Sequence, residues 1–149
     1  MSEGLRLIAE DADDLGVLSA AAQDALLRVG DLRFDRKARR FSAMVSRFRW
    51  EKANGAREAA FERAAAVLAF EGVLGVKSRR VRLDAPDAVA SLLSIQFDPA
   101  PEPPGGHVKL ILAGDGEIAL QVEVLDAVLF DSGAVWRTPR RPDHELAEG

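Results

Sequence analysis

Apolar and polar residues alternate along two arms near the C-terminal end of the chain. Val108, Leu110 and Leu112 lie on one arm and Ile118, Leu120, Val122 and Val124 on the other, with Lys109, Gln121 and Glu123 in the opposite phase. Period-two alternation predicts strands with one dry face. Opposed residues of a hairpin share a face, which pairs Leu112 with Ile118. Gly114, Asp115 and Gly116 then form a three-residue loop with Gly116 at positive φ.

Elsewhere the period changes in informative places. Leu5 to Ala9 reads as a first strand, and the acidic stretch Glu10 to Asp14 suits the positive end of a helix capped by Asp11 or Asp13. Leu15, Leu18, Ala22 and Leu26 recur at three- and four-residue spacing, predicting a helix from near Ala12 to near Asp24. Leu27 and Val29 then share one phase and Leu32 and Phe34 the other, so a β-bulge is expected at Gly30-Asp31. The polar run Asp35 to Arg39 makes a turn. Phe41 to Trp50 returns as a strand with Met44, Phe48 and Trp50 on one face, read as core, and Arg47 and Arg49 on the other.

Residues 51–80 are ambiguous by pattern. Glu58 to Ala69 is alanine-rich and has helical propensity, yet Val67 to Val76 is a nearly continuous apolar run interrupted by Gly72 and Gly75. A buried, kinked strand accounts better for that run, so extended structure is predicted from about Arg63 to Ser78. Pro86 closes the turn that follows Val81 to Leu83, and Leu93, Ile95 and Phe97 alternate with Ser94, Gln96 and Asp98 as another strand. The Pro- and Gly-rich connector Pro99 to Gly106 is an extended loop joining two strands at a sheet edge. The tail 137–149 is polar.

These elements predict one α+β domain over 1–149, dominated by an antiparallel sheet of about seven or eight strands with one helix near the N-terminus. The chain's 149 residues, 48% hydrophobic and 30% charged, suit a single ordinary core. With no cysteine, disulfides, thiolate metal sites and cysteine nucleophiles are excluded. The N-terminus lacks the pattern of a secretory leader and no window approaches the roughly 18 apolar residues of a membrane span, so a cytoplasmic protein is expected.

Candidate chemistry is sparse. Neither His107 nor His144 has a serine or aspartate at triad spacing, no Gly-x-Ser-x-Gly occurs, and both read as surface histidines. Gly114-Asp115-Gly116 lies between strands, where a phosphate loop would need a helix to follow. Asp11 to Gly16 imitates the start of a calcium loop, but Leu15 at the fifth place and Ala22 at the twelfth remove needed ligands. No catalytic residue, metal site or cofactor is therefore expected.

Charge is the exception to this blandness. The net charge is −4, yet residues 28–63 hold eleven Lys or Arg against five acids, which is +6 and leaves −10 for the remainder. Arg28, Arg33, Arg47 and Arg49 are accordingly candidate polyanion-binding residues, interleaved with Phe34, Phe41, Phe48 and Trp50. A solvated face complementing the protein's own acids is the competing reading. The tail offers Trp136, Arg140, Arg141 and His144 as a second candidate binding segment, with a strap anchored by Trp136 as the alternative preferred here.

Several ordered motifs resemble one family. They are Leu5-x-Leu7-Ile8-Ala9-x-Asp11, Leu18-Ser19, Gln23-Asp24-Ala25, Gly30-Asp31-Leu32, Arg47-Phe48-x-Trp50-Glu51, Val76-x-Ser78-Arg79, Phe97-x-Pro99, Asp131-x-Gly133-x-x-Trp136 and Pro142-x-His144. In order and spacing the chain resembles the bacterial family called domain of unknown function 2948. The resemblance implies a single-domain bacterial protein and carries no activity, cofactor or catalytic residue with it. The functional expectation is a non-enzymatic interaction or scaffold protein, with a homodimer as the expected assembly, since sheet edges are covered, charged or paired. Nucleic-acid or polyanion binding by hairpin 28–63 is the alternative. An enzyme with an unrecognised Arg, Asp and His site is third.

Overall fold

A helix that starts where its acids meet the dipole opens the architecture. In the computed structural model, which describes residues 4–50 and 62–137, strand β1 (Arg6–Ala9) leads into α1 (Ala12–Ala22). Asp11 caps the helix, its Oδ1 accepting the Asp14 N–H at 2.8 Å, while Asp13 and Asp14 occupy the first turn. Leu15, Leu18 and Ala22 are buried against the sheet. The helix stops at Ala22 because Gln23 turns extended and Asp24 takes φ 64°, where its N–H reaches Leu92 O at 2.7 Å.

The strands that follow are β2 (Leu26–Asp35), β3 (Arg40–Phe48), β4 (Glu62–Glu71), β5 (Val73–Arg79), β6 (Val89–Pro99), β7 (Gly106–Leu112), β8 (Gly116–Val122) and β9 (Ala127–Arg137). Among the described residues they form one nine-stranded sheet in the order β1-β9-β4-β3-β2-β6-β7-β8-β5, with antiparallel pairing throughout. The predicted α+β class therefore holds, with slightly more strands than expected. The edges are β1 and β5. The 99–106 connector joins β6 to β7 in the interior of this order, a correction to its expected place at an edge.

Local breaks curl the sheet around its core. The bulge expected at Gly30-Asp31 is present as a register shift between Leu27 and Leu32. There Val29 and Gly30 donate instead to Ala88 O and Pro86 O, at 2.9 and 2.8 Å. A side chain on Gly30 would lie 3.0 Å from Pro86 O, so this close approach of two backbones favours glycine. Of the ambiguous segment, β4 and β5 are extended, as the apolar run predicted, with a kink at Gly72 (φ 70°) between them, and residues 51–61 lie outside the described residues. Leu27, Leu68, Phe70, Leu92, Leu110, Leu120 and Leu129 join α1 in the enclosed core.

Three predicted details are corrected. In the 107–124 hairpin Leu110 opposes Ile118, and Leu112 opposes Gly116. The loop is Ala113-Gly114-Asp115, with positive φ at Gly114 (77°) and Asp115 (65°), whereas Gly116 has φ −76°. Sharing a face requires only that the two residue numbers sum to an even value, so parity left registers two residues apart equally allowed. On β6, a shift between Leu92 and Ser94 puts Leu92 in the core instead of Leu93, and the Ile95 N–H turns to Ser19 Oγ of the helix at 2.9 Å. On β3 the inner residues are Phe41, Ala43, Val45 and Arg47, while Met44 is 45% exposed on the outer face.

Candidate functional site

The inward phase of β3 carries an arginine into the core, and the sheet supplies its counter-ion. Arg47 pairs in register with Ala64 of β4, and Asp131 of β9 pairs with Ala66. With only alanines at those inner β4 positions, the Arg47 side chain has room to cross β4. Its Nε donates to Asp131 Oδ1 at 2.7 Å and its Nη2 to Oδ2 at 2.9 Å. Both side chains are essentially sealed from solvent. The Leu5 N–H adds a hydrogen bond to Asp131 Oδ2 at 2.9 Å, so the pair ties β1, β3 and β9 together.

Burial by itself would raise the Asp131 carboxyl. The Arg47 hydrogen bonds, the Leu5 amide and the charges of Arg47 and Arg49 outweigh it and hold the group below its ordinary value. A bidentate guanidinium to carboxylate contact is the geometry in which a buried pair is best satisfied.

Just beyond β3 the chain leaves the open end of the β2–β3 hairpin. Arg49 is buried and donates through Nη1 to Glu62 Oε1 at 2.5 Å. Phe48, fully buried, meets Trp50 edge-on with ring centroids 4.6 Å apart. The Trp50 Nε1–H donates to Gln23 O at 3.0 Å, locking the end of α1 to the end of β3. Arg63 lies 6.0 Å over the Phe48 ring and donates to Ser46 O at 2.9 Å. Burial lowers the Arg63 pKa, and the buried Asp24 carboxylate partly restores it. Segments that carry the family resemblance, Gln23-Asp24, Arg47-Phe48, Trp50 and Asp131, thus meet in one region.

The four candidate arginines do not converge. Arg47 and Arg49 are buried in ion pairs, a correction to their predicted outward placement, because β3 turns the phase of Phe41, Ala43 and Val45 inward. Arg28 is exposed beside Asp87 at 3.5 Å, and Arg33 folds back to donate to Gly30 O at 2.6 Å and Leu32 O at 3.0 Å. Trp136 pairs in register with Arg63 on β9, while Arg140, Arg141 and His144 lie outside the described residues. Asp131, Asp24 and Glu62 were missed. An inward-phase acid after Ala127 and Leu129 was the available sign for Asp131. Among the described residues no three His, Asp or Glu side chains gather as a metal would need, and no helix is long and apolar enough to cross a membrane.

The outer face of the sheet has a different character. Along one row Phe130 of β9, Val67 of β4 and Met44 of β3 are neighbours in register. Ile8, Leu26 and Val89 extend this surface at 52%, 37% and 60% exposure. A shallow depression of about 280 Å³ opens beside Leu26, Met44, Ala65 and Val89. Arg28 and Asp31 are its charged lining residues, Arg28 lying 3.5 Å from Asp87, and nearby Arg40 is held by Glu71 through Nε and Nη2 at 2.7 and 2.9 Å. Large apolar patches on a protein surface mark contact sites.

Neither the curated proteins nor the solved structures contain a match to this chain. One family model does match, across residues 5–144 and hence nearly every element described above. By that match the chain belongs to the family described as protein of unknown function (DUF2948).

Proposed function

We propose that this protein is a non-catalytic interaction module whose partner is a second copy of itself, docked through the outer face of β1, β9, β4, β3 and β2 and the start of β6. The observation that carries this reading is the exposed apolar trio Leu26, Met44 and Val89 around a shallow depression, with Ile8 exposed further out on the same face at β1. A two-fold contact places the same patch on both copies, so the patch must complement itself. This one does so chemically. Its centre is apolar, Arg40 at its side is held by Glu71, and Arg28 lies 3.5 Å from the exposed Asp87. Arg28 and Asp31 both line the depression, so a two-fold contact can set the cation of one copy against the acid of the other. Met44, unbranched and 45% exposed, is suited to filling an opposing depression.

Polyanion binding is supported less well. It needs uncommitted cations, and two of the four candidate arginines are buried in ion pairs with Asp131 and Glu62. Sedimentation velocity over roughly 1–100 μM protein tests the dimer, a range that brackets micromolar association. Wild type should sediment as a dimer and Met44→Glu as a monomer with unchanged circular dichroism. A wild-type monomer at every concentration, or a Met44→Glu variant that still dimerises, overturns the proposal.

A further inference from the structure

A second surface, on a different part of the molecule, has the makings of a ligand site. Strand β6 runs past the end of β7: its pairing with β7 begins at Leu92, whereas Val89, Ala90 and Ser91 pair only with β2. Leu92 directs its N–H and C=O to the β2 side, toward Ala25 and Asp24, and the Ala88 carbonyl accepts from Val29 on that same side. Backbone groups alternate along a strand, so Val89 and Ser91 aim theirs the other way. On that side the sheet opens into a groove of about 550 Å³ between β6, the segment Arg80–Arg82 and the β7–β8 turn at Leu112–Gly114.

The groove's lining combines two chemistries. Val29, Val81, Ala88, Ala90 and Leu112 make its walls apolar, and Arg80 and Arg82 are the cationic residues of its lining. The nearest acid to Arg80 is engaged only loosely: Asp115 Oδ2 lies 3.7 Å from Nη1, and both side chains are well exposed. Such a contact is weak in water and easily exchanged for a better anion. The rim is also conformationally unusual, since Arg80 (φ 56°), Gly114 (φ 77°) and Asp115 (φ 65°) all adopt positive φ. Left-handed backbone at non-glycine residues gathers where geometry serves binding. Volumes of several hundred Å³ with apolar walls and a few convergent polar groups are those of small-molecule sites.

We infer that this groove binds a small organic carboxylate with an apolar body, its carboxylate on Arg80 and Arg82 and its hydrocarbon portion over Val29, Val81 and Leu112. The backbone groups of Val89 and Ser91 line its path. This assignment does not rest on the outer-face dimer, although the two surfaces share Val89, which lines both.

Hexanoate is the probe, with hexanamide as its uncharged counterpart and acetate as the anion without an apolar body. In ¹⁵N-resolved titrations of wild type, hexanoate should shift the amides of Val89, Ser91 and Gly114 at millimolar concentrations or below. Hexanamide and acetate should bind about tenfold more weakly or worse, each lacking one half of the recognition. An Arg80→Gln, Arg82→Gln double variant should lose about tenfold in hexanoate affinity while keeping its amide spectrum elsewhere. The inference is overturned if hexanoate leaves those three amides unmoved, if hexanamide or acetate matches it, or if the folded double variant binds equally well. The wild-type comparison of the three probes decides the matter even if the double variant does not fold.

Discussion

Arg47 and Asp131, 84 residues apart in the chain, form a bidentate ion pair across the intervening strand β4, with Nε to Oδ1 at 2.7 Å and Nη2 to Oδ2 at 2.9 Å. The pair is buried and also receives the Leu5 amide, so it works as a cross-strand tie at the β1 edge of the sheet. Its worth lies in the penalty for halving it. Arg47→Met or Asp131→Asn should each destabilise by about 3–5 kcal/mol in urea denaturation, since one charge is left buried alone or poorly matched. The double variant Arg47→Met, Asp131→Leu should recover most of that loss. A double variant as unstable as the sum of the singles would show that the pair is not the tie described.

Acid should release the same tie. The Asp131 carboxyl is held below its ordinary value of 3.8, so it binds its proton less readily folded than unfolded. Its contribution is therefore complete above that ordinary value and is lost as pH falls through the lower folded value. Urea midpoints measured downward from neutral pH should fall over that acid range in wild type. In Asp131→Asn the fall should be shallower.

Two glycines should respond to alanine in different ways. Gly106 opposes Pro99 in register, and a Cβ there would collide with the Asp98 carbonyl and stand 2.9 Å from the Phe97 ring. Gly106→Ala should cost about 2–3 kcal/mol, as overpacking does. Gly114 has open space around it but φ 77°, so Gly114→Ala should cost about 1 kcal/mol through backbone strain alone. Equal losses in thermal melts would contradict the distinction.

Trp50 should be poorly accessible to a charged quencher. It packs on Phe48 and donates to Gln23 O. In a Trp136→Phe background, iodide should quench its emission only weakly. Strong quenching would mean that the end of β3 is open.

The polyanion reading has its own measurement. With Arg47 and Arg49 committed to carboxylates, the accessible candidates are Arg28 and Arg33. Labelled single-stranded DNA should show no micromolar binding at physiological salt, where screening acts over about 8 Å. Tight binding lost in Arg28→Ala, Arg33→Ala would move the functional proposal to nucleic acid.

The pattern along the chain by itself determined the class of fold and many of its joints. Alternation is a property of neighbouring residues, so β2, β3, β7 and β8, the bulge at Gly30-Asp31 and the extended run interrupted at Gly72 were all legible. So was an aspartate cap at Asp11 or Asp13, because a helix terminus acts on residues one turn away, and the structure uses Asp11. Tertiary structure decided what a period of two leaves open. Alternation says which residues of β3 share a face but not which face is covered, and only packing against α1 and the far half of the sheet turned Phe41, Ala43, Val45 and Arg47 inward. Parity likewise admitted two registers for the 107–124 hairpin, and the fold realised the one in which Leu112 opposes Gly116. The partner of Arg47 was least legible of all. A buried charge is tolerated only with its counter-charge in place, and Asp131 becomes a neighbour only when β4 and β9 have paired.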